Sequence, residues 1–144
     1  MIAIKGVIMS GGVGTRLRPL TCHLPKPMVP IFNKPVMEYG VNLLKKYGVH
    51  DIAVTLHYLP NMVKDYFEDG KMFNVNMKYY IEDQPLGTGG SVKNAEEFLD
   101  STFIVISGDA FTNINLKKAY DFHKERGSKA TLILKREPIP LEYG

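Results

Sequence analysis

The sequence predicts an α/β fold of three layers, a mostly parallel sheet with helices on both faces. Three observations carry this. Short apolar runs rich in β-branched residues recur along the chain, segments of helical periodicity separate them, and three of the four helical segments end at a glycine. Parallel neighbours cannot be joined by a tight turn, so alternation at this spacing implies helical crossovers and a Rossmann-like sheet.

Taken in order, Ile2 to Met9 reads as the first strand. A polar, proline-rich stretch follows. The first helix is expected to open with Pro35 at its N1 position, carry Val36, Leu43, Leu44 and Tyr47 on one face, and stop at Gly48. Asp51 to Leu56 is the second strand, and the next helix enters near Pro60, packs Met62, Val63, Tyr66 and Phe67, and ends at Gly70. Met77 to Ile81 is the third strand, followed by a helix from Thr88 to Leu99 with Val92, Ala95, Phe98 and Leu99 inward. Phe103 to Ile106 is the fourth, followed by a helix from Asn115 to Arg126 that ends at Gly127, and Ala130 to Leu134 reads as a fifth strand. Several runs are apolar on both faces, as strands covered on both sides must be. Ligands of open parallel sheets sit beyond the carboxyl ends of the strands, so the residues just after each run are the candidates for function.

A chain of 144 residues with 44% hydrophobic and 23% charged residues has the size and composition of one folded domain. It holds no internal repeat and no Pro-, Gly- or Ser-rich linker. The net charge of +3 is unevenly spread. No Asp or Glu precedes Glu38, while Lys5, Arg16, Arg18, Lys26 and Lys34 give that stretch +5; the thirteen remaining cations against fifteen acids leave −2. Basicity confined to one stretch points to a small anionic ligand rather than to nucleic acid, and the five cations are expected to gather where that anion lies. Cys22 is the one cysteine, which excludes an internal disulfide and a cysteine-based zinc site and suits a reducing compartment. The start, MIAIKGVIM, has no basic n-region and is too short to span a bilayer, so neither a signal peptide nor a membrane partner is expected and the cytoplasm is the natural location.

After the first strand the chain reads Ser10-Gly11-Gly12-Val13-Gly14-Thr15-Arg16-Leu17-Arg18-Pro19-Leu20-Thr21. Glycines remove the Cβ atoms that keep a phosphate from backbone N–H groups and permit positive φ, and two arginines without a carboxylate supply charge. A plain glycine turn is the weaker reading. A dinucleotide fingerprint counted from Gly12 requires glycine where Leu17 stands, and a P-loop requires Gly-Lys-Ser/Thr, so a dinucleotide-dependent oxidoreductase is disfavoured. Lys26, between Pro25 and Pro27, is expected in an extended, stiff segment that presents its ammonium; alone it reads as a surface lysine, and beside the glycine loop as a positioned charge.

After the third strand, Glu82-Asp83-Gln84-Pro85-Leu86-Gly87-Thr88-Gly89-Gly90-Ser91 again permits close backbone approach, now at a helix start where free N–H groups favour an anionic or polar ligand. Alone this is ordinary capping. After the fourth strand, Ser107-Gly108-Asp109 places a carboxylate one step past an apolar run, suited to a hard cation such as magnesium between phosphates; the alternative is a cap on the turn at Thr112 or Asn113. The four histidines, His23, His50, His57 and His123, show neither metal spacing nor a nucleophilic partner, and Cys22 reads as a small hydrophobe.

Together these residues resemble the sugar-nucleotide pyrophosphorylases, or sugar-phosphate nucleotidyltransferases, over essentially the whole chain. Gly11 through Thr21 with Lys26-Pro27 is similar to the family's signature loop, Pro85-Leu86-Gly87-Thr88-Gly89-Gly90 to its nucleobase loop, and Gly108-Asp109 to its magnesium position. Within the family, Lys26-Pro27-Met28-Val29-Pro30, Leu86-Gly87-Thr88 and Pro140-Leu141-Glu142-Tyr143-Gly144 are most similar to the mannose-1-phosphate guanylyltransferase branch. The resemblance implies a glycosyltransferase-A-like nucleotidyltransferase domain that passes a nucleotidyl group from a nucleoside triphosphate, GTP favoured, to a sugar 1-phosphate, mannose 1-phosphate favoured, releasing pyrophosphate. It implies that Arg16 stabilises the pyrophosphate, Lys26 holds reacting phosphate oxygens and Asp109 binds Mg2+. Met9, Ser10, Gly11, Gly12, Gly14 and Thr15 would line the nucleotide, with Pro85, Gly87 and Thr88 around the base. Tyr143 and Gly144 would open the sugar pocket. Glu82 stands five residues before Gly87, where pyrimidine-using relatives usually carry glutamine; a carboxylate accepts from guanine N1–H and N2–H together, so Glu82 is expected to select GTP.

Family members use a longer domain with a second metal-binding aspartate. The chain is therefore expected to be the nucleotide-binding part, residues 1–144, with the sugar-binding part absent, and to retain GTP and Mg2+ binding better than turnover. The alternative is a non-catalytic nucleotide-binding or regulatory subunit of the same fold, against which intact Arg16, Lys26 and Asp109 speak. An uncovered sheet edge favours pairing between copies, so a homo-oligomer is expected, and a strictly monomeric species in light scattering at high concentration counts against it.

Overall fold

A computed structural model describes residues 4–136. They fall into two compact units that divide after Asn113.

The first unit is built on β1 (Lys5–Ser10), whose Val7 and Ile8 are fully buried because neighbours flank it on both edges and helices cover both faces. Three short 3-10 turns follow, then the two-residue strands β2 (Pro30–Ile31) and β3 (Lys34–Pro35), paired antiparallel. Helix α1 (Val36–Lys46) begins one residue later than the sequence implies, with Pro35 at the N-cap, and buries Val41 and Leu44. It ends as expected: Gly48 turns left-handed at φ 85°, and Val49 N donates to Leu44 O at 3.0 Å. Strand β4 (Asp51–Leu56) leads to α2 (Pro60–Phe67), which buries Val63 and Phe67 but leaves Met62 and Tyr66 partly exposed. Strand β5 (Asn76–Ile81) leads to α3 (Gly87–Asn94), and β6 (Phe103–Ser107) ends the sheet.

The four long strands pair in parallel in the order β5-β4-β1-β6. One face meets α1, where a Cβ at Gly6 would lie 3.1 Å from Leu44 and one at Gly40 would lie 3.1 Å from Ile106. The other face, carrying Val7, Ala53 and Tyr80, packs on Ala95, Phe98 and Leu99. The three layers are those the sequence predicts.

Three elements differ from expectation. Helix α2 ends at Phe67 rather than at Gly70: its C-cap Glu68 takes a positive φ of 46°, and Gly70 instead opens the 3-10 turn Lys71–Phe73. The helix foreseen from Thr88 to Leu99 breaks at Ala95 (φ −98°, ψ 15°) into a 3-10 turn, Glu96–Phe98. The tighter turn brings Phe98 and Leu99 onto the sheet. In the second unit, α4 (Leu116–Glu125) lies within the expected span; Asn115 is its N-cap, with a side chain that accepts from Lys118 N at 3.0 Å, and its exit at Gly127 is left-handed at φ 57°. Ala130 to Leu134 is not a strand, and Leu132 and Leu134 are 82% and 84% exposed. Apolar alternation permits a strand but does not supply the edge it must bond to.

From β1 the chain builds outward through β4 to β5, then returns to the far side of β1 for β6. The carboxyl ends of β1 and β6 therefore bracket the point where strand order reverses, which is where open α/β sheets hold ligands. Among the described residues no helix is long and apolar enough to cross a membrane.

Candidate functional site

At that carboxyl edge lies a cleft of about 290 Å³. The end of β1 and the loop after it contribute Met9, Ser10, Gly11 and Gly12; the loop after β5 and the start of α3 contribute Glu82, Pro85, Gly87 and Thr88; Lys26 and Asp109 also line it. Four stretches far apart in sequence thus bring ten of the predicted site residues together.

Asp109 owes its place to a tight exit from β6. Gly108 N donates to Met9 O at 2.8 Å, continuing the parallel ladder one step beyond the strands, and a Cβ at Gly108 would overlap Ser10 Oγ. A side chain here would have to displace the Ser10 hydroxyl and crowd Ile8, so glycine suits so close an exit of β6 beside β1. Lys26 Nζ then lies 2.8 Å from Asp109 Oδ2, and Ser107 Oγ donates to Asp109 Oδ1. Partial burial pushes the Asp109 carboxyl upward, but the hydrogen bonds from Lys26 and Ser107 outweigh it and hold the group below the usual aspartate value.

The segment around Lys26 differs from the extended conformation expected for it. Pro25 is extended, but Lys26 opens a 3-10 turn closed by Met28 N to Pro25 O at 2.8 Å. Rigidity comes instead from packing. Gly14 is left-handed at φ 72°, its carbonyl accepts the Thr21 hydroxyl at 2.6 Å, and a Cβ on it would press to 2.7 Å from Lys26 Cγ. Gly14 therefore makes room for the lysine stem.

Glu82 is 4% exposed. Its backbone is held from both sides, with its N–H donating to Leu56 O at 2.7 Å and its carbonyl 2.8 Å from His57 Nδ1. Its side chain is poorly satisfied: Oε2 takes only a long 3.4 Å bond from Leu86 N, and Oε1 has no partner. A Cβ at Gly11 would come within 3.0 Å of Oε2, so this glycine gives space to the carboxylate as well as to a ligand. A buried carboxylate oxygen without a donor is unusual and marks a place where a ligand donor fits.

Gly14, Thr15 and Arg16 do not line the cleft, and Thr15 and Arg16 are exposed on the 3-10 turn Thr15–Leu17. Nor do the five early cations gather there. Lys5, at the opposite end of β1, bonds Asp100 at 2.7 Å, and Lys34 pairs with Glu38 at 3.1 Å. Lys26 alone of the five lines the cleft. Charge balance along a chain does not report which end of a strand a side chain occupies. Cys22 is exposed rather than packed as a small hydrophobe. Tyr143 and Gly144 lie outside the described residues.

Sequence reasoning missed Pro27, Leu86, Ser91 and Ser107 in the lining. Ser107 had a signal, a hydroxyl two residues before a candidate metal carboxylate. His57 had none, since a lone histidine after a strand announces nothing.

Among the described residues no cluster of three or more His, Cys, Asp or Glu could hold a metal. The hard oxygens of Asp109 and Ser107 fit magnesium, which takes one or two carboxylates and fills its shell with phosphate and water.

An open parallel α/β sheet with a glycine-lined cleft at its switch point defines a class of ligand-binding domain. The chain belongs to the Nucleotidyl transferase family, whose model matches residues 5–144. It is 39% identical to a UTP–glucose-1-phosphate uridylyltransferase of Synechocystis over 155 residues and 39% identical to the mannose-1-phosphate guanyltransferase of Saccharomyces cerevisiae over 145, covering 98% of this chain in both cases. In each it spans 40% of the relative's length. Among solved structures, HddC from Yersinia pseudotuberculosis complexed with GMP-PN is 36% identical with a TM-score of 0.74, matching 83% of this chain and 54% of HddC. A putative glucose-1-phosphate thymidylyltransferase from Bacillus anthracis is 25% identical with a TM-score of 0.78, covering 85% and 51% of the respective chains.

Proposed function

We propose that this chain is the nucleotide-binding part of an enzyme that transfers a nucleotidyl group from GTP to a sugar 1-phosphate, mannose 1-phosphate in the first instance. The observation that carries the reading is Glu82 Oε1, buried without a partner in the same cleft as the Lys26–Asp109 pair. A carboxylate facing the cleft repels phosphate but accepts from the adjacent N1–H and N2–H of guanine, which no pyrimidine presents. The base therefore belongs beside Glu82 and the phosphates toward Lys26.

In the reaction an oxygen of the sugar phosphate bonds the α-phosphorus while the bond to the β-phosphate oxygen breaks, and the electron pair leaves on pyrophosphate. The protein has little covalent chemistry to perform; it must hold two anions together and meet the charge that builds on the leaving group. Backbone N–H groups at Gly11 and Gly12 approach the nucleotide closely, Lys26 leaves Asp109 for phosphate oxygens, and Arg16 closes from its exposed loop onto the pyrophosphate. Asp109 with Ser107 would hold Mg2+, which would supply positive charge against the negative charge of the phosphates.

Titrating GTP, UTP, dTTP and NAD with and without Mg2+ tests the binding, and pyrophosphate release on mannose 1-phosphate tests turnover. GTP binding that strengthens with Mg2+ is expected. Equal affinity for all four ligands sinks the reading, and binding without any turnover in the presence of the sugar-binding part favours a regulatory subunit.

A further inference from the structure

His57 and Tyr58, the two residues after β4, line no part of the cleft, yet each holds one of its walls. His57 Nδ1 lies 2.8 Å from the Glu82 carbonyl. A carbonyl only accepts, so Nδ1 carries the proton and His57 donates. The Tyr58 hydroxyl lies 2.9 Å from Cys22 O and 3.3 Å from Thr21 O, two backbone acceptors at the end of the same 3-10 turn. Thr21, 1% exposed, passes the constraint on through its hydroxyl to Gly14 O, and Gly14 is the residue packed on the stem of Lys26.

Topology explains why one dipeptide reaches both walls. In the order β5-β4-β1-β6, β4 has β5 on one side and β1 on the other, so its exit lies between the loop that carries Glu82 and the loop that carries Lys26. The dipeptide is short and anchored at both ends. Leu56 is fully buried before it, and Leu59, left-handed at φ 47°, starts α2 immediately after.

We infer that His57-Tyr58 is a positioning brace that aligns the base-reading carboxylate of Glu82 with the phosphate-holding turn of Lys26, His57 serving base discrimination and Tyr58 serving the triphosphate. This rests on the reading of the cleft as a GTP site. Neither side chain touches the nucleotide. His57 acts through the backbone of Glu82, and Tyr58 through the backbone of Thr21 and Cys22, from which Thr21 reaches Gly14 beside the Lys26 stem.

The test measures binding of GTP, ITP and guanosine to the wild-type chain and to Tyr58→Phe, His57→Ala and His57→Asn, with thermal unfolding followed in parallel. ITP lacks the 2-amino group, so the GTP-to-ITP ratio reads the placement of Glu82. Tyr58→Phe removes one oxygen and is expected to weaken GTP by roughly three- to tenfold, the scale of one lost hydrogen bond, while guanosine affinity and the GTP-to-ITP ratio hold. His57→Ala is expected to lower that ratio by about the same factor, and His57→Asn, whose amide can donate from the position of Nδ1, to restore it. Tyr58→Phe weakening guanosine and GTP alike, His57→Asn behaving as His57→Ala, or variants that bind as wild type each overturn the brace. Should the wild-type chain bind UTP instead of GTP, the guanine reading fails while UTP against uridine still judges Tyr58; binding of no nucleotide overturns both.

Discussion

Glu82→Gln is expected to lower the ratio of GTP to UTP affinity by roughly ten- to hundredfold, the scale of about 1.5 to 3 kcal/mol for hydrogen bonds to a charged group. Glutamine offers one acceptor and one amide donor where guanine presents two donors, so one N–H meets an N–H and the other loses its charged partner. The effect on the protein alone is of a different kind. Oε1 has no hydrogen bond to lose and Oε2 has one of 3.4 Å, so thermal stability stays within about 1 kcal/mol of wild type. Lost selectivity with retained stability identifies a recognition group. A carboxylate that merely buttressed Gly11 and Leu86 would give the reverse, and a nucleotide panel with a parallel melting curve distinguishes them.

Lys26→Met and Asp109→Asn separate along a second axis. Asp109→Asn removes the carboxylate, so the gain in GTP affinity that Mg2+ provides falls by tenfold or more, on the order of one strong charge-assisted contact. Lys26→Met acts with opposite signs on two ligands. It frees Asp109 from a cation 2.8 Å away, so Mn2+ used as a probe without nucleotide binds several-fold more tightly, while GTP loses a phosphate contact and binds more weakly. It also moves the titration of Asp109 upward, because burial is then opposed only by the Ser107 hydroxyl and a backbone hydrogen bond, without the lysine's hydrogen bond and charge. Manganese relaxation titrations, calorimetry with GTP and carboxyl 13C NMR read these three shifts. Tighter GTP binding by Lys26→Met would mean the lysine serves only to occupy Asp109.

Both predictions concern residues whose candidacy was legible before any coordinates. Glu82 and Asp109 each stand just past an apolar run, where ligands of parallel sheets lie; that rule pointed to Asp109 and to the loop of Glu82, and the resemblance to the pyrophosphorylases singled out Glu82 within it. Helix ends at Gly48 and Gly127 were legible for a similar reason: each takes positive φ, at 85° and 57°, which glycine adopts without steric cost. What was illegible depended on partners distant in sequence. Lys5 and Lys26 look alike as basic residues of an acid-free stretch, but one begins β1 and bonds Asp100, and the other reaches Asp109 across the far end of the sheet.

Local pattern determined by itself the α/β class, the positions of the four long strands and the segments that edge the cleft. These depend on side-chain periodicity and backbone preference, which are properties of neighbours in the chain. Tertiary structure alone decided that β6 returns beside β1, that Gly11 stands against Glu82, that Ala130 to Leu134 is no strand, and that His57 and Tyr58 tie two loops together. A strand exists only with an edge to bond, and a buried carboxylate is unsatisfied only once its surroundings have closed around it. Periodicity cannot encode either condition, because both are set by which distant segments meet.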